Sequence, residues 1–306
     1  MTKPSVVFFG SGPVAAKSLE LLSKNFEIEA IVTKPTTIGT MQSAAPDAPL
    51  FTVTNKSDLD QLIKDQNFTS NVGVLIDFGI IVSQYVIDYF ARGIVNSHFS
   101  LLPHLRGADP ITFSILSGQE TTGVSLMMLV PAMDEGPLLS QIQVDIDAKE
   151  TTESLTDKLI DASNQSLREI LPLWLTDRTI SIPQDQATIA PDSTPTYSRK
   201  LTKQDGLLDW SKPATQLERE VRAYSTWPRS FTTIAGKDVI VCSAHTEPQS
   251  MEYRALSIEI GSITATADKK IQVVTSDGLF IIDSLQPAGK KQMTAESFLA
   301  GHRHLL

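Results

Sequence analysis

The strongest constraint on this chain is an alternation through its first 175 residues: short β-branched or aromatic runs separated by segments with a helical apolar period. "SVVFF" (5–9) leads into "PVAAKSLELLSK" (13–24), where Pro13 suits the first helical position because its missing N–H would be unsatisfied there anyway. "IEAIVT" (28–33), "LFTV" (50–53), "VGVLID" (72–77), "GIV" (93–95), "GVSLMMLV" (123–130) and "LLSQIQVDI" (138–146) read as further strands. "SQYVIDYFA" and "TTESLTDKLIDASNQSLREILPLWL" read as helices. Strand and helix in turn predict an α/β fold, a doubly wound, mostly parallel sheet over residues 1–175. Ligands in such sheets lie outside the carboxyl ends of the strands.

The alternation then stops. Residues 176–206 are rich in Pro, Ser and Thr without sustained periodicity, which predicts a linker. From 207 to 306 a helix ("ATQLEREVRAYS") and short strands ("KDVIVCSAH", "GSITATA", "KIQVVTS", "GLFIIDSLQ") predict a small β-barrel or sandwich. A length of 306 residues agrees with two domains. The net charge of −9 argues against non-specific coating of nucleic acid, yet the last hundred residues are charge-balanced, so the acidity belongs to the first two thirds. No apolar stretch reaches the roughly 18 residues of a membrane span. The first run, five residues long, is too short for a signal h-region, and with a single cysteine, Cys242, the expectation is a cytoplasmic monomer without metal or disulfide.

One strand end carries chemistry. "GIVNSHFSLLPHLRGADP" (93–110) places Asn96 and His98 two apart, so on an extended strand the amide and the imidazole emerge on one face. A second polar loop, "VPAMDEG", follows the strand 123–130 and holds Asp134. If successive crossovers put both loops at one sheet edge, Asn96, His98 and Asp134 converge. Such a set suits acyl transfer to an amine: the amide donates to a developing oxyanion, the imidazole holds charge or moves a proton, and the carboxylate orients the ring or accepts a proton. Ser97 and Ser100 raise a serine-hydrolase alternative, but no nucleophile-elbow motif precedes a helix. "GSGPVA" (10–15) imitates a dinucleotide turn, yet no acidic residue ends the second strand to hold a ribose, and a close-packed strand-to-helix turn is the better reading.

"NSHFSLLPHLRGADPI" followed by "ETTGVSLMMLVPAMDEGPLL" resembles the signature of folate-dependent formyltransferases. The resemblance implies a Rossmann-like formyltransferase domain over 1–175, with Asn96, His98 and Asp134 as the catalytic set. It also implies that Ser100, Leu101, Leu102 and Pro103 line a pocket for 10-formyltetrahydrofolate as co-substrate; Phe78 and Gly79, past a strand end, are expected as the facing wall. "TYSRKLTKQDGLLDWSKPATQLEREVRAYSTWPRSFTTI" and "LQPAGKKQMTAESFLAG" resemble the linker and C-terminal domain of the methionyl-tRNA formyltransferases. That implies a linker over 176–206, a tRNA-binding, OB-like β-barrel over 207–306, and initiator methionyl-tRNA as acceptor. Arg199, Lys200, Lys203, Lys290 and Lys291 are then the expected phosphate contacts, while Trp210 and Trp227 are assigned to the small domain's core. Two departures stand out: "GSGPVAA" replaces the family's "GTPxFA" turn, and the usually basic loop after the second strand is "KPTTIGTMQSAAPDAP", with Lys34 its one base. The alternatives are formylation of an amino sugar nucleotide, nicotinamide-dependent oxidoreduction at the glycine turn, and a catalytically silent RNA-binding module, which would have little reason to keep Asn96, His98 and Asp134 in this arrangement.

Overall fold

In the computed structural model, which describes residues 3–187, 189, 194–248 and 259–302, the N-terminal alternation becomes a single sheet. β1 (Ser5–Phe9), α1 (Pro13–Ser23), β2 (Glu27–Thr33), α2 (Ile38–Ala44), β3 (Leu50–Thr52), α3 (Lys56–Asp65), β4 (Gly73–Leu75), α4 (Gln84–Tyr89) and β5 (Ile94–His98) follow in order. Val6 to Phe9 are all sealed from solvent, because helices cover both faces of a parallel sheet. Local chemistry starts the helices, α1 and α4 where the pattern predicts them and α3 in a stretch given no assignment above. Pro13 opens α1; the Asn55 side chain accepts from the Asp58 N–H to cap α3, and Ser83 caps α4 through the Val86 N–H. The segment after β2, expected as loop, folds into α2 by burying Met41.

Next come β6 (Arg106–Gly107), α5 (Pro110–Leu116), β7 (Thr121–Met128), β8 (Leu138–Asp145), α6 (Thr152–Leu175) and β9 (Tyr197–Ser198). The seven-stranded order is β3-β2-β1-β4-β5-β7-β8, parallel through β5. β7 and β8 then run antiparallel to their neighbours. This keeps the mostly parallel class but corrects the crossover argument. Met128, at the end of β7, pairs with Val95, and Ser125 pairs with His98, so the loop after β7 leaves beside the start of β5. A helix between two strands fits a return as well as a crossover; periodicity does not distinguish them.

The chain divides into two compact units: Met1–Ile111, Glu120–Ile146 and Leu155–Arg199 form one, and Thr112–Gln119, Asp147–Ser154 and Lys200–Leu306 the other. The second unit contains α7 (Ala214–Ala223), β10 (Ser230–Ile234), β11 (Lys237–Glu247), β12 (Ile263–Ala265), β13 (Ile271–Val274), β14 (Leu279–Pro287), β15 (Met293–Thr294) and α8 (Ala295–His302). Its six strands are antiparallel, ordered β10-β11-β14-β13-β12 with β15 against β14. The β11–β14 register slips on both sides of Ser243, a bulge that bends the long strand and curls the sheet around Leu217, Val221, Val241, Phe280, Ile282 and Phe298. The excursion 147–154 is tied to it: Arg222 donates to the Glu150 carbonyl at 2.8 Å, and the Thr152 hydroxyl donates to the Ala223 carbonyl at 2.6 Å.

Trp210 packs on Phe280 with ring centroids 5.5 Å apart, as expected of a core residue. Trp227 does not: it is 54 % exposed. It lies in the turn between α7 and β10, where its neighbour is the Lys203 ammonium, 6.0 Å from the ring. Among the described residues no helix is long and apolar enough to cross a membrane.

Candidate active site

β5 carries the first two groups, and its pleat fixes their direction. The Ser97 hydroxyl bonds Ser163 on α6 at 2.7 Å, so residue 97 faces α6 and its neighbours Asn96 and His98 face the opposite side. Asn96 is 7 % exposed, and among the described residues its side-chain amide has no hydrogen-bond partner. Its polar atoms are not among the unpartnered ones sealed from solvent, so the amide keeps an opening through which a ligand can complete it. His98, 6 % exposed, has Nε2 3.0 Å from the Leu105 carbonyl. A carbonyl oxygen only accepts, so the hydrogen-bond network assigns the proton to Nε2 and leaves Nδ1 as the basic nitrogen.

Nδ1 faces Asp134: Oδ1 is 3.7 Å away, too far for a hydrogen bond and close enough for direct attraction once a proton arrives. The sequence set therefore does converge, though by a different route from the one expected. Asp134 has φ +53°, a left-handed conformation that turns the loop, and its Oδ2 accepts the Gly107 N–H at 2.7 Å. Gly136 lets the loop close against β7: a Cβ there would stand 1.7 Å from the Met128 carbonyl oxygen.

The segment Ser100–Pro103 is pinned to the β7–β8 hairpin. The Ser125 hydroxyl donates to the Ser100 carbonyl (2.7 Å) and accepts from the Leu102 N–H (3.0 Å), and Gln141 donates to the Leu102 carbonyl (2.8 Å). The Ser100 hydroxyl donates to the His104 carbonyl at 2.6 Å. Leu102 is fully buried with Met127 and Leu138, so its side chain anchors the loop. Leu101 lies over Gly123, whose missing Cβ makes room for it. Phe78 is likewise a core residue, edge-on to Phe9 with centroids 5.8 Å apart, while Gly79 (φ +62°) sits beside the Lys34 ammonium.

Several polar groups at this rim went unnoticed in the sequence. Asp77, two residues past β4, is exposed at its surface and crowded by neighbouring protein on its other side. Desolvation raises its carboxyl to about 6, with Lys34 opposing and Asp109 reinforcing the shift. One of its oxygens occupies the space a Cβ on Gly12 would take, 1.7 Å away, which accounts for the glycine where the family turn differs. Arg106, nearly buried, donates through Nε (3.2 Å) and Nη2 (2.7 Å) to Gln184 Oε1 and pairs through Nη1 with Glu135 at 3.1 Å. Gln184 had no signal at all; it lies in the stretch read as linker. Arg106 lies within the stretch 96–111, but nothing in the sequence marks the buried fork it makes to Gln184.

All five expected tRNA contacts, Arg199, Lys200, Lys203, Lys290 and Lys291, are exposed. Lys203 donates to the Pro228 carbonyl (3.2 Å) and lies 4.6 Å from the Phe231 ring centroid. In the C-terminal unit Lys203 lines one depression and Lys237 and Lys290 line an adjoining one, the two sharing Asp238, Pro287 and Ala288.

With this geometry in hand, comparison with known proteins gives a consistent answer. The family model "Formyl transferase" matches residues 5–171 and "Formyl transferase, C-terminal domain" matches residues 200–303. The methionyl-tRNA formyltransferase of Myxococcus xanthus (strain DK1622) is 32% identical over 314 residues, covering 99% of this chain and 96% of that protein. The methionyl-tRNA formyltransferase of Roseiflexus castenholzii (strain DSM 13941 / HLO8) is 32% identical over 311 residues, covering 97% and 96%. Among solved structures, the sugar 3N-formyl transferase WlaRD superimposes with TM-score 0.67 at 17% identity, over 95% of this chain and all of that one. HypX from Aquifex aeolicus, solved with tetrahydrofolic acid, gives TM-score 0.63 at 14% identity over 99% of this chain, which spans about half (48%) of the HypX chain. Both modules, in order and over nearly its full length, make the chain a member of the formyl transferase family.

Proposed function

We propose that the chain transfers the formyl group of 10-formyltetrahydrofolate to the α-amine of methionine esterified to initiator tRNA. The observation that carries this is the extent of the likeness: two methionyl-tRNA formyltransferases align at 32% identity through the catalytic unit and the C-terminal module alike. The folate supplies a formyl carbon open to attack by an amine; as the new carbon–nitrogen bond forms, the bond from that carbon to N10 breaks, and tetrahydrofolate leaves with N10 carrying the proton that the amine gave up. The chain's own residues would do the rest.

The unpartnered Asn96 amide donates to the formyl oxygen as it gains charge, an interaction stronger in the transition state than before it. His98 Nε2–H is held by the Leu105 carbonyl, which leaves Nδ1 as the relay: it takes the proton the attacking amine must shed. Asp134 stabilises the resulting imidazolium across the 3.7 Å gap, which closes as the proton arrives. Oxyanion stabilisation thus falls on Asn96 more than on His98. Ser100–Pro103 and the Phe78–Gly79 turn shape the folate side. On the acceptor side, the rim of Lys203, Lys237 and Lys290 would meet phosphates, with Arg199, Lys200 and Lys291 contributing charge and exposed Trp227 a stacking face. The chain would work as a cytoplasmic monomer.

The test is incubation of purified protein with 10-formyltetrahydrofolate labelled in the formyl group and either charged initiator tRNA or an amino sugar nucleotide. Label should enter the RNA-linked methionine. Label in the sugar alone would move the reading to the second acceptor, the chemistry named by the sugar formyltransferases of similar fold.

A further inference from the structure

One stretch of chain holds both groups that face the His98 ring. On the Nδ1 side, Gln184 Nε2 donates to the Asp134 carbonyl at 2.7 Å and to the Gly136 carbonyl at 2.9 Å, while its Oε1 accepts from Arg106. Arg106 only donates and carbonyls only accept, so the orientation of this buried amide is fixed and each of its hydrogen-bonding atoms is used. The chain just before it is locked in as well: Leu138 and Ile182 exchange backbone bonds at 2.7 and 2.9 Å.

On the Nε2 side, the Thr196 hydroxyl accepts the Leu105 N–H at 2.8 Å and the Thr196 carbonyl accepts the Arg106 N–H at 2.9 Å. β9 pairs with β6, and Ser198 Oγ accepts the Asp109 N–H and donates to the Arg106 carbonyl, both at 3.2 Å. Gly107, with φ +113°, allows this approach; a Cβ there would stand 2.3 Å from the Ser198 carbonyl oxygen. Leu105 is the residue whose carbonyl fixes the His98 tautomer.

We infer that residues 182–187 and 194–198, between the two family modules, form a clamp on the transfer site, with Gln184 and Thr196 as positioning residues: Gln184 sets the Asp134 carboxylate against Nδ1, and Thr196 sets the Leu105 carbonyl against Nε2. The inference rests on the roles proposed above for His98 and Asp134. Neither side chain reaches the reacting atoms. Each acts through a backbone it holds, and the geometry is demanding, since a misplacement of about 1 Å at such a site costs on the order of a hundredfold in rate. The stretch that joins the modules thereby belongs to the catalytic apparatus.

Gln184→Leu, Thr196→Val and Thr196→Ser test this in the full chain, with Asp134→Ala beside them, by steady-state kinetics and binding of a non-reactive folate analogue. Gln184→Leu and Thr196→Val should each lower kcat about 10- to 100-fold while the analogue's Kd changes less than about 3-fold, a split that general loss of structure does not produce. Thr196→Ser keeps the hydroxyl and should restore kcat to within about 3-fold of the parent. Thr196 is at the surface, so its variants report even if Gln184→Leu folds poorly. Normal kcat in a folded Thr196→Val, or a Kd that rises in step with the loss of kcat, overturns the clamp. An inactive Asp134→Ala beside fully active clamp variants removes the clamp alone; an active Asp134→Ala removes the catalytic assignment and the clamp with it.

Discussion

Replacing Asn96 by alanine should cost activity and leave stability nearly unchanged. The residue is 7 % exposed, its amide has no hydrogen-bond partner among the described residues, and its polar atoms are not among the unpartnered ones sealed from solvent. Truncation to Ala therefore orphans no described neighbour and relieves no fully desolvated group. What is lost is the packing of a few atoms at a wall that solvent can refill. The net change in unfolding free energy should lie within about 1 kcal/mol of zero. Activity falls much further. Loss of one oxyanion donor costs about 10²–10³ in kcat, or about 2.7–4 kcal/mol of transition-state stabilisation. Urea unfolding, with its slope checked for constancy, gives the first quantity; single-turnover formyl transfer gives the second. A variant that is destabilised by 2 kcal/mol or more, or that keeps kcat within a factor of three, would show that the amide is structurally engaged or catalytically idle, and the oxyanion assignment would fail.

Asp77 should titrate near 6 by carbon-13 NMR of its carboxyl, and a midpoint near 4 would contradict its desolvation. Its folded pKa is raised above the usual value of 3.8, so its relative contribution to stability is complete below that value and is lost as pH rises through about 6; Asp77→Asn should therefore be more stable relative to the parent at pH 7 than at pH 4. Gly136→Ala places a Cβ 1.7 Å from the Met128 backbone carbonyl and should lower the thermal midpoint, with a cost of about 1–3 kcal/mol and a displaced Asp134 loop; an unchanged midpoint counts against the closure described. Leu102→Asp should behave as a core lesion that lowers the urea midpoint, since Leu102 is packed on Met127 and Leu138. Trp227→Ala should raise the KM for charged tRNA several-fold and leave folate binding alone; equal effects on both substrates would return Trp227 to a structural role.

Much of this molecule is legible in its residues because the relevant physics is local. Period and capping locate the strands and helices, since β-branched runs, Pro13, Asn55 and Ser83 act on their own few neighbours. The pleat alone puts Asn96 and His98 on one face. What the sequence could not decide is how distant segments meet. The antiparallel turn of β7 depends on which side the chain between it and β5 returns, and no property of that chain encodes the side. Asp134 reaches His98 through a left-handed backbone, a glycine pressed on the Met128 carbonyl and hydrogen bonds from Gly107 and Gln184. Those constraints couple residues up to 50 positions apart, so they exist only once the chain has folded. The same reason hid the exposure of Trp227 and the role of Gln184, a polar residue in a Pro- and Thr-rich stretch that gained its role from the carbonyls it meets. Composition and period determined which elements and chemical groups this chain owns; tertiary packing determined their distances, and the chemistry depends on those distances.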